Sequence, residues 1–91
     1  MKKPIRWDDL KNAQLFERYE VSFEDVIIAL EKGDLLANRE HPNQEKYGHQ
    51  KQLIVRIDEY AYVVPYIDEQ DYWFFKTLFP SRQAKGQYLN D

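Results

Sequence analysis

Leu53-Ile54-Val55-Arg56-Ile57-Asp58-Glu59-Tyr60-Ala61-Tyr62-Val63-Val64-Pro65-Tyr66 is the stretch that decides the fold. Leu53, Val55 and Ile57 alternate with other residues. After the polar pair Asp58-Glu59, the alternation resumes at Tyr60, Tyr62, Val64 and Tyr66. A period of two marks a strand, and two such runs joined by two turn-forming residues mark an antiparallel hairpin. Pro65 has no backbone N–H to give to a ladder, so its strand is expected at an edge or with a bulge. Asp68, Glu69 and Asp71 form a second turn. Beyond it, Tyr72, Phe74, Lys76 and Leu78 are expected on one face of a third strand, and Trp73, Phe75, Thr77 and Phe79 on the other. An antiparallel meander follows. Its third strand is apolar on both sides, as expected of a central strand covered by helices on one face and by a partner or the last helix on the other.

Upstream the period lengthens. Asp8 is placed as a helix N-cap, and Leu10, Ala13, Phe16 and Tyr19 follow at helical spacing, predicting an amphipathic helix over 9–19. Ser22 with Asp25 three positions on makes a capping box, and Val21 with Val26 makes a hydrophobic staple. They open a second helix over 23–32, which stops at Gly33. Ile5-Arg6-Trp7 is a strand stub or lead-in, and His41–Gln50 reads as a polar loop. Pro80 ends the third strand and Ser81 caps a last helix over 82–89. The expected class is α+β: a helical hairpin packed on a small antiparallel sheet, with a C-terminal helix.

The 91 residues, 43% hydrophobic and 15% aromatic, make one domain too small for a deep cavity. No cysteine is present, which excludes disulfides, zinc knuckles and thiol nucleophiles and fits a reducing cytoplasm. No apolar run approaches a membrane span and no signal core follows the first lysines, so a soluble, cytoplasmic protein is expected. The net charge is −3, and it lies entirely in residues 1–45; residues 46–91 are neutral, with their acids almost wholly in two clusters that read as turns. The sheet surface can therefore be locally basic.

Arg56 and Lys76 each interrupt an apolar strand, as solvent-facing cations or as clamps for a phosphate. Arg82, at the start of the last helix, suits sharing an anion with that helix end. His41 and His49 lie in the polar loop as solvated histidines, too few and wrongly spaced for a metal site. Gly33, Gly48 and Gly86 are too far apart for a phosphate loop, and no nucleophile elbow occurs. The tyrosines at 60, 62 and 66 form a packed sheet face or a base-stacking platform.

Trp7-Asp8-Asp9-Leu10-Lys11-Asn12, and then Tyr19-Glu20-Val21-Ser22-Phe23-Glu24-Asp25, resemble the opening of BrnT-type toxins of bacterial type II toxin–antitoxin modules. Leu78-Phe79-Pro80-Ser81-Arg82-Gln83-Ala84, with Tyr88, is similar to that family's closing motif. The family's histidine falls on Tyr19, its glycine on Glu20 and its closing-strand arginine on Thr77, and Arg82 keeps the expected type. The resemblance implies a RelE-like fold and a metal-independent ribonuclease that uses no cofactor. It also implies a ribbon-helix-helix antitoxin partner, through which alone operator DNA is bound. RNA cleavage of this kind needs a base, an acid and cations. On that footing Arg82 with Lys76 or Arg56 supplies charge, and His49 or Tyr88 supplies acid or base. The competing expectation is a catalytically inactive protein-binding module on the same scaffold, and a small-molecule enzyme has the least support.

Overall fold

A computed structural model describes residues 3–89. The chain runs β1 (Ile5–Arg6), α1 (Asp9–Tyr19), α2 (Phe23–Glu31), β2 (Leu35–Glu40), α3 (Gln44–Tyr47), β3 (Gln50–Ile57), β4 (Tyr60–Asp68), β5 (Trp73–Phe75), β6 (Phe79–Pro80) and α4 (Arg82–Tyr88). The class is α+β. The sheet has the order β1-β5-β4-β3-β2, with β6 also paired to β4. β3 and β4 form the expected hairpin, from Ile57↔Tyr60 to Gln50↔Ile67. Its turn residues Asp58 and Glu59 have φ of 52° and 66°, the left-handed pair that matches the twist of a two-residue hairpin.

The hairpin's alternation gives the sheet two buried faces. Leu53, Val55, Val64 and Tyr66 point to one side, where Leu15 of α1 and Phe23, Val26 and Ala29 of α2 cover them. Ile54, Ala61 and Val63 point to the other, where Ala84 of α4 sits. The last helix therefore covers the second face of the hairpin, and β4, not the expected third strand, is the central one.

The helix ends follow their local chemistry. The Asp8 carboxylate accepts the Leu10 N–H at 3.2 Å. The Ser22 N–H donates to Asp25 at 2.9 Å, closing the capping box. At the end of α2, Gly33 takes φ 81°, and the Asp34 and Gly33 N–H groups donate back to Ala29 and Leu30. This pair of bonds is the Schellman arrangement. The two helices are stitched by one side chain, Asn12: its amide oxygen accepts the Phe23 N–H at 2.7 Å and its nitrogen donates to Glu24 at 2.8 Å. The second bond holds the Glu24 carboxyl below the usual carboxylate range.

Several expectations need correction. Pro65 lies neither on an edge strand nor in a bulge. It is buried in β4, paired with Gln52, and β4 has neighbours on both sides. Its carbonyl accepts the Lys76 N–H at 2.9 Å, so its missing N–H faces that same side, because both groups of a strand residue point one way. There the neighbouring strand is interrupted between β5 and β6. The expected continuous third strand over 72–79 is consequently two short pieces. Leu78 lands in the same cluster as Phe75 and Trp73, not on the opposite face. Residues 35–40 form the edge strand β2, which the sequence reading passed over, and α3 interrupts the expected loop. Finally, α1 turns inward on Leu15 and Tyr19, leaving Leu10 and Phe16 exposed. β1 adds a parallel pairing with β5 to the antiparallel set.

Tyr66 joins the two chemistries of the core. It is fully buried, and its hydroxyl donates to the Asn38 side chain of β2 at 2.7 Å. Burial raises its phenol above the ordinary tyrosine range. The unfolded chain therefore ionises first as pH rises, and this contribution is complete below the ordinary pKa and is lost as pH climbs through the folded value. Tyr62 shifts in the same direction, also through burial. Tyr66→Phe is expected to cost about 1 kcal/mol at neutral pH through the lost hydrogen bond, and to flatten the fall in stability above about pH 10. Urea titrations at pH 7 and above pH 10 measure both.

Candidate functional site

At the far end of β2, on the face that α4 covers, Arg39 pairs in register with Gln52. Gln52 is only 6% exposed, and its side-chain oxygen accepts from Arg39 Nε at 3.1 Å. A buried amide thus grips the guanidinium from behind. Its two terminal nitrogens are then the ones free to meet a planar anion. Among the described residues Arg39 forms no ion pair. Glu40 follows it, and Pro42 turns the chain.

Across from them stands α4. The Ser81 N–H is tied to the Ala61 carbonyl at 3.0 Å, and its hydroxyl caps the helix by accepting the Ala84 N–H at 3.0 Å. Ala84 is buried on Ile54, Ala61 and Val63, which fixes the rotation of the helix. That rotation turns Gln83 and Gln87 toward β2. Between them and Arg39, Glu40 and Pro42 lies a cleft of about 470 Å³. The strand end thus brings a held cation to the cleft and the facing helix brings two amides, while the Glu40 side chain alternates to the other face with Asn38. Those groups can bind an anion.

The five residues picked out from the sequence are not gathered there. His49 precedes β3 and Arg56 nearly ends it, seven residues apart, or roughly 23 Å along an extended strand. Arg56 lies 3.6 Å from Asp34, half-exposed, at the other end of the sheet. Lys76 stands where its backbone meets Pro65, and is exposed. Arg82 is two residues before Ala84, about 200° around the helix, so it faces solvent and not the cleft. Tyr88 is half-buried against the cluster of Ile54 and Ala84. Of the two histidines, His49 is exposed. His41 is the ordered one: its Nδ1 accepts the Asn43 N–H at 3.0 Å and its ring lies 4.4 Å from that of Tyr47.

Charge is divided across the sheet. From Asp8 to Asp34, the segment that includes both helices of the first face, there are eight acids and three bases. From Tyr72 to Leu89, the segment that includes α4, there is no acid, and Lys76, Arg82 and Lys85 supply three cations. Lys85 lies 5.7 Å from the centre of the Tyr60 ring. Among the described residues no cluster of three or more His, Asp or Glu could hold a metal ion, and no helix is long and apolar enough to cross a membrane.

Arg39, Glu40, Gln83 and Gln87 escaped the sequence reading. The only local signal was the alternation of Ala37 and Arg39 with Asn38 and Glu40, a polar edge strand written in weak letters. No family model matches the chain, and no curated protein or solved structure matches it.

Proposed function

We propose that this chain is the toxin of a type II toxin–antitoxin module, a RelE-like ribonuclease working in the cytoplasm without a metal, with the Arg39 cleft as its RNA site. The observation that carries this reading is the division of charge: an acid-free segment with its cations on and before α4, against an acidic pair of helices on the other side. A phosphate chain is drawn to the first, and a basic partner to the second. Such a partner suits the ribbon-helix-helix antitoxin implied by the resemblance, with operator DNA reached only through it. Glu20 adds support. It stands where the resembled family has glycine, and its φ of 59° is the left-handed backbone glycine favours.

In this reading water in the open cleft takes the proton from a ribose 2′-hydroxyl. The 2′ oxygen bonds to phosphorus, and the 5′ oxygen leaves, taking its proton from water in the open cleft. Arg39 holds the charge that gathers on the phosphorane oxygens. The products are a 2′,3′-cyclic phosphate and a 5′-hydroxyl. The test is incubation of the purified protein with labelled RNA in EDTA, with and without ribosomes, beside Arg39→Ala. Cyclic-phosphate ends made by the wild type and not by Arg39→Ala support the reading. An intact substrate under both conditions removes the enzymatic claim.

Arg82 then serves binding more than chemistry. Arg82→Ala is expected to weaken RNA binding a few-fold and to lower the slope of log affinity against log salt by about 1, the signature of one lost phosphate contact. Its cleavage rate at saturating RNA should stay near that of the wild type. A rate loss with unchanged binding would return Arg82 to the reacting centre. The exposed apolar side of α1 favours a second reading, a protein-binding module on this scaffold that does not cut RNA.

A further inference from the structure

α1 is apolar on both sides. Leu15 faces the core, and the opposite side carries Leu10, Ala13 and Phe16, with Leu10 67% and Phe16 54% exposed. These three line a shallow groove, with Gln14, Glu17 and Glu20 beside them. Glu20 also borders a neighbouring hollow under the hairpin turn, where Asp25, Asp34, Asp58 and Glu59 gather around Lys32 and Arg56. Ile28, 52% exposed, lines that hollow. Two large exposed side chains on one helix face, continued by a net acidic hollow, describe a surface that is greasy at one end and negative at the other.

We infer that this surface docks a basic amphipathic helix of a partner protein. Its apolar stripe lies along Leu10, Ala13 and Phe16, and its lysines or arginines reach the acids around Glu20. Complementary charge selects this occupant over a second copy of the chain, because two such acidic rims repel each other. The inference deepens the partner half of the function proposed above. It stands apart from the RNA half, because the cleft lies on the other face of the sheet.

The probe is a fluorescent synthetic helix with leucines at i, i+3, i+4 and i+7 and lysines or arginines elsewhere, read by anisotropy against the full chain. A scrambled peptide of the same composition is the control. The expected result is saturable binding at least tenfold tighter than the scramble, lost at least tenfold in the double variant Leu10→Gln, Phe16→Gln, and weakened separately by Glu20→Lys. Both altered sites are exposed, and circular dichroism confirms that the variants fold. Equal binding of patterned and scrambled peptides, or undiminished binding by the double variant, overturns the proposal. Sedimentation showing that wild type self-associates through Leu10 and Phe16 overturns it as well, in favour of a second copy. RNA cleavage measured on the same variants separates the two readings: failure of docking with cleavage intact leaves the RNA site standing.

Discussion

Arg39→Ala is expected to lower kcat for RNA cleavage about 10²- to 10³-fold, with a much smaller change in KM, the loss seen when a single pre-placed donor to a developing oxyanion is removed. The expectation rests on geometry rather than on charge alone. Gln52 takes the Nε of Arg39 and is itself buried, so the fork of terminal nitrogens is set before any ligand arrives. Arg39→Lys keeps the charge but has neither Nε nor a fork, and is expected to recover little of the rate. Gln52→Leu is the companion test. It leaves Arg39 in place and removes its anchor, and a fall in kcat that Gln52→Glu partly restores marks Gln52 as a positioning residue. Single-turnover cleavage with saturating enzyme reads these effects without interference from product release. If Arg39→Ala cuts at the wild-type rate, the cleft is not the reacting centre, whatever the RNA affinity does.

The hairpin was legible because two different signals agreed there: a period of two on each arm and a two-residue polar turn between them. The helix ends were legible for a similar reason. Asp8, Ser22 with Asp25, Gly33 and Ser81 each act within a few residues of themselves, and short-range chemistry is written locally. The misreadings have the opposite character. The expected stripe on α1 is Leu10, Ala13, Phe16 and Tyr19, and of these only Tyr19 meets the core, beside Leu15. Periodicity detects a stripe but not what covers it. Pro65 was read by its own chemistry, correctly as a lost donor. The loss appears in the neighbouring strand, broken between Phe75 and Phe79, and that consequence belongs to the sheet order. The cleft was the least legible feature, since it depends on the register of β2 against β3 and on how Ala84 seats α4. Both are long-range facts with no mark in the sequence near Arg39.

Phe23→Ala is expected to lower the free energy of unfolding by about 3–5 kcal/mol, the range for deleting a buried aromatic ring. Phe23 has no exposed surface. Its ring lies 5.3 Å from that of Trp7 and 5.7 Å from that of Phe75, so three segments distant in sequence lose their common contact together. The site cannot readily collapse, because Phe23 is also the first residue of α2 and its N–H is fixed by Asn12. A domain of this length has a total stability of about 5–14 kcal/mol at roughly 0.05–0.15 kcal/mol per residue, so the variant is expected to lose a large share of it. Urea unfolding should show a lower midpoint with an unchanged slope. Ile28→Ala, on the exposed side of the same helix, should move the midpoint very little. The Phe23 cluster and the Arg39 cleft lie on opposite faces of the sheet, joined through β3, β4 and the Tyr66–Asn38 bond to β2. In the cold, where Phe23→Ala remains folded, its cleavage rate should therefore match the wild type. A rate that falls in step with stability, even with the chain folded, would mean that the two faces are coupled through the hairpin.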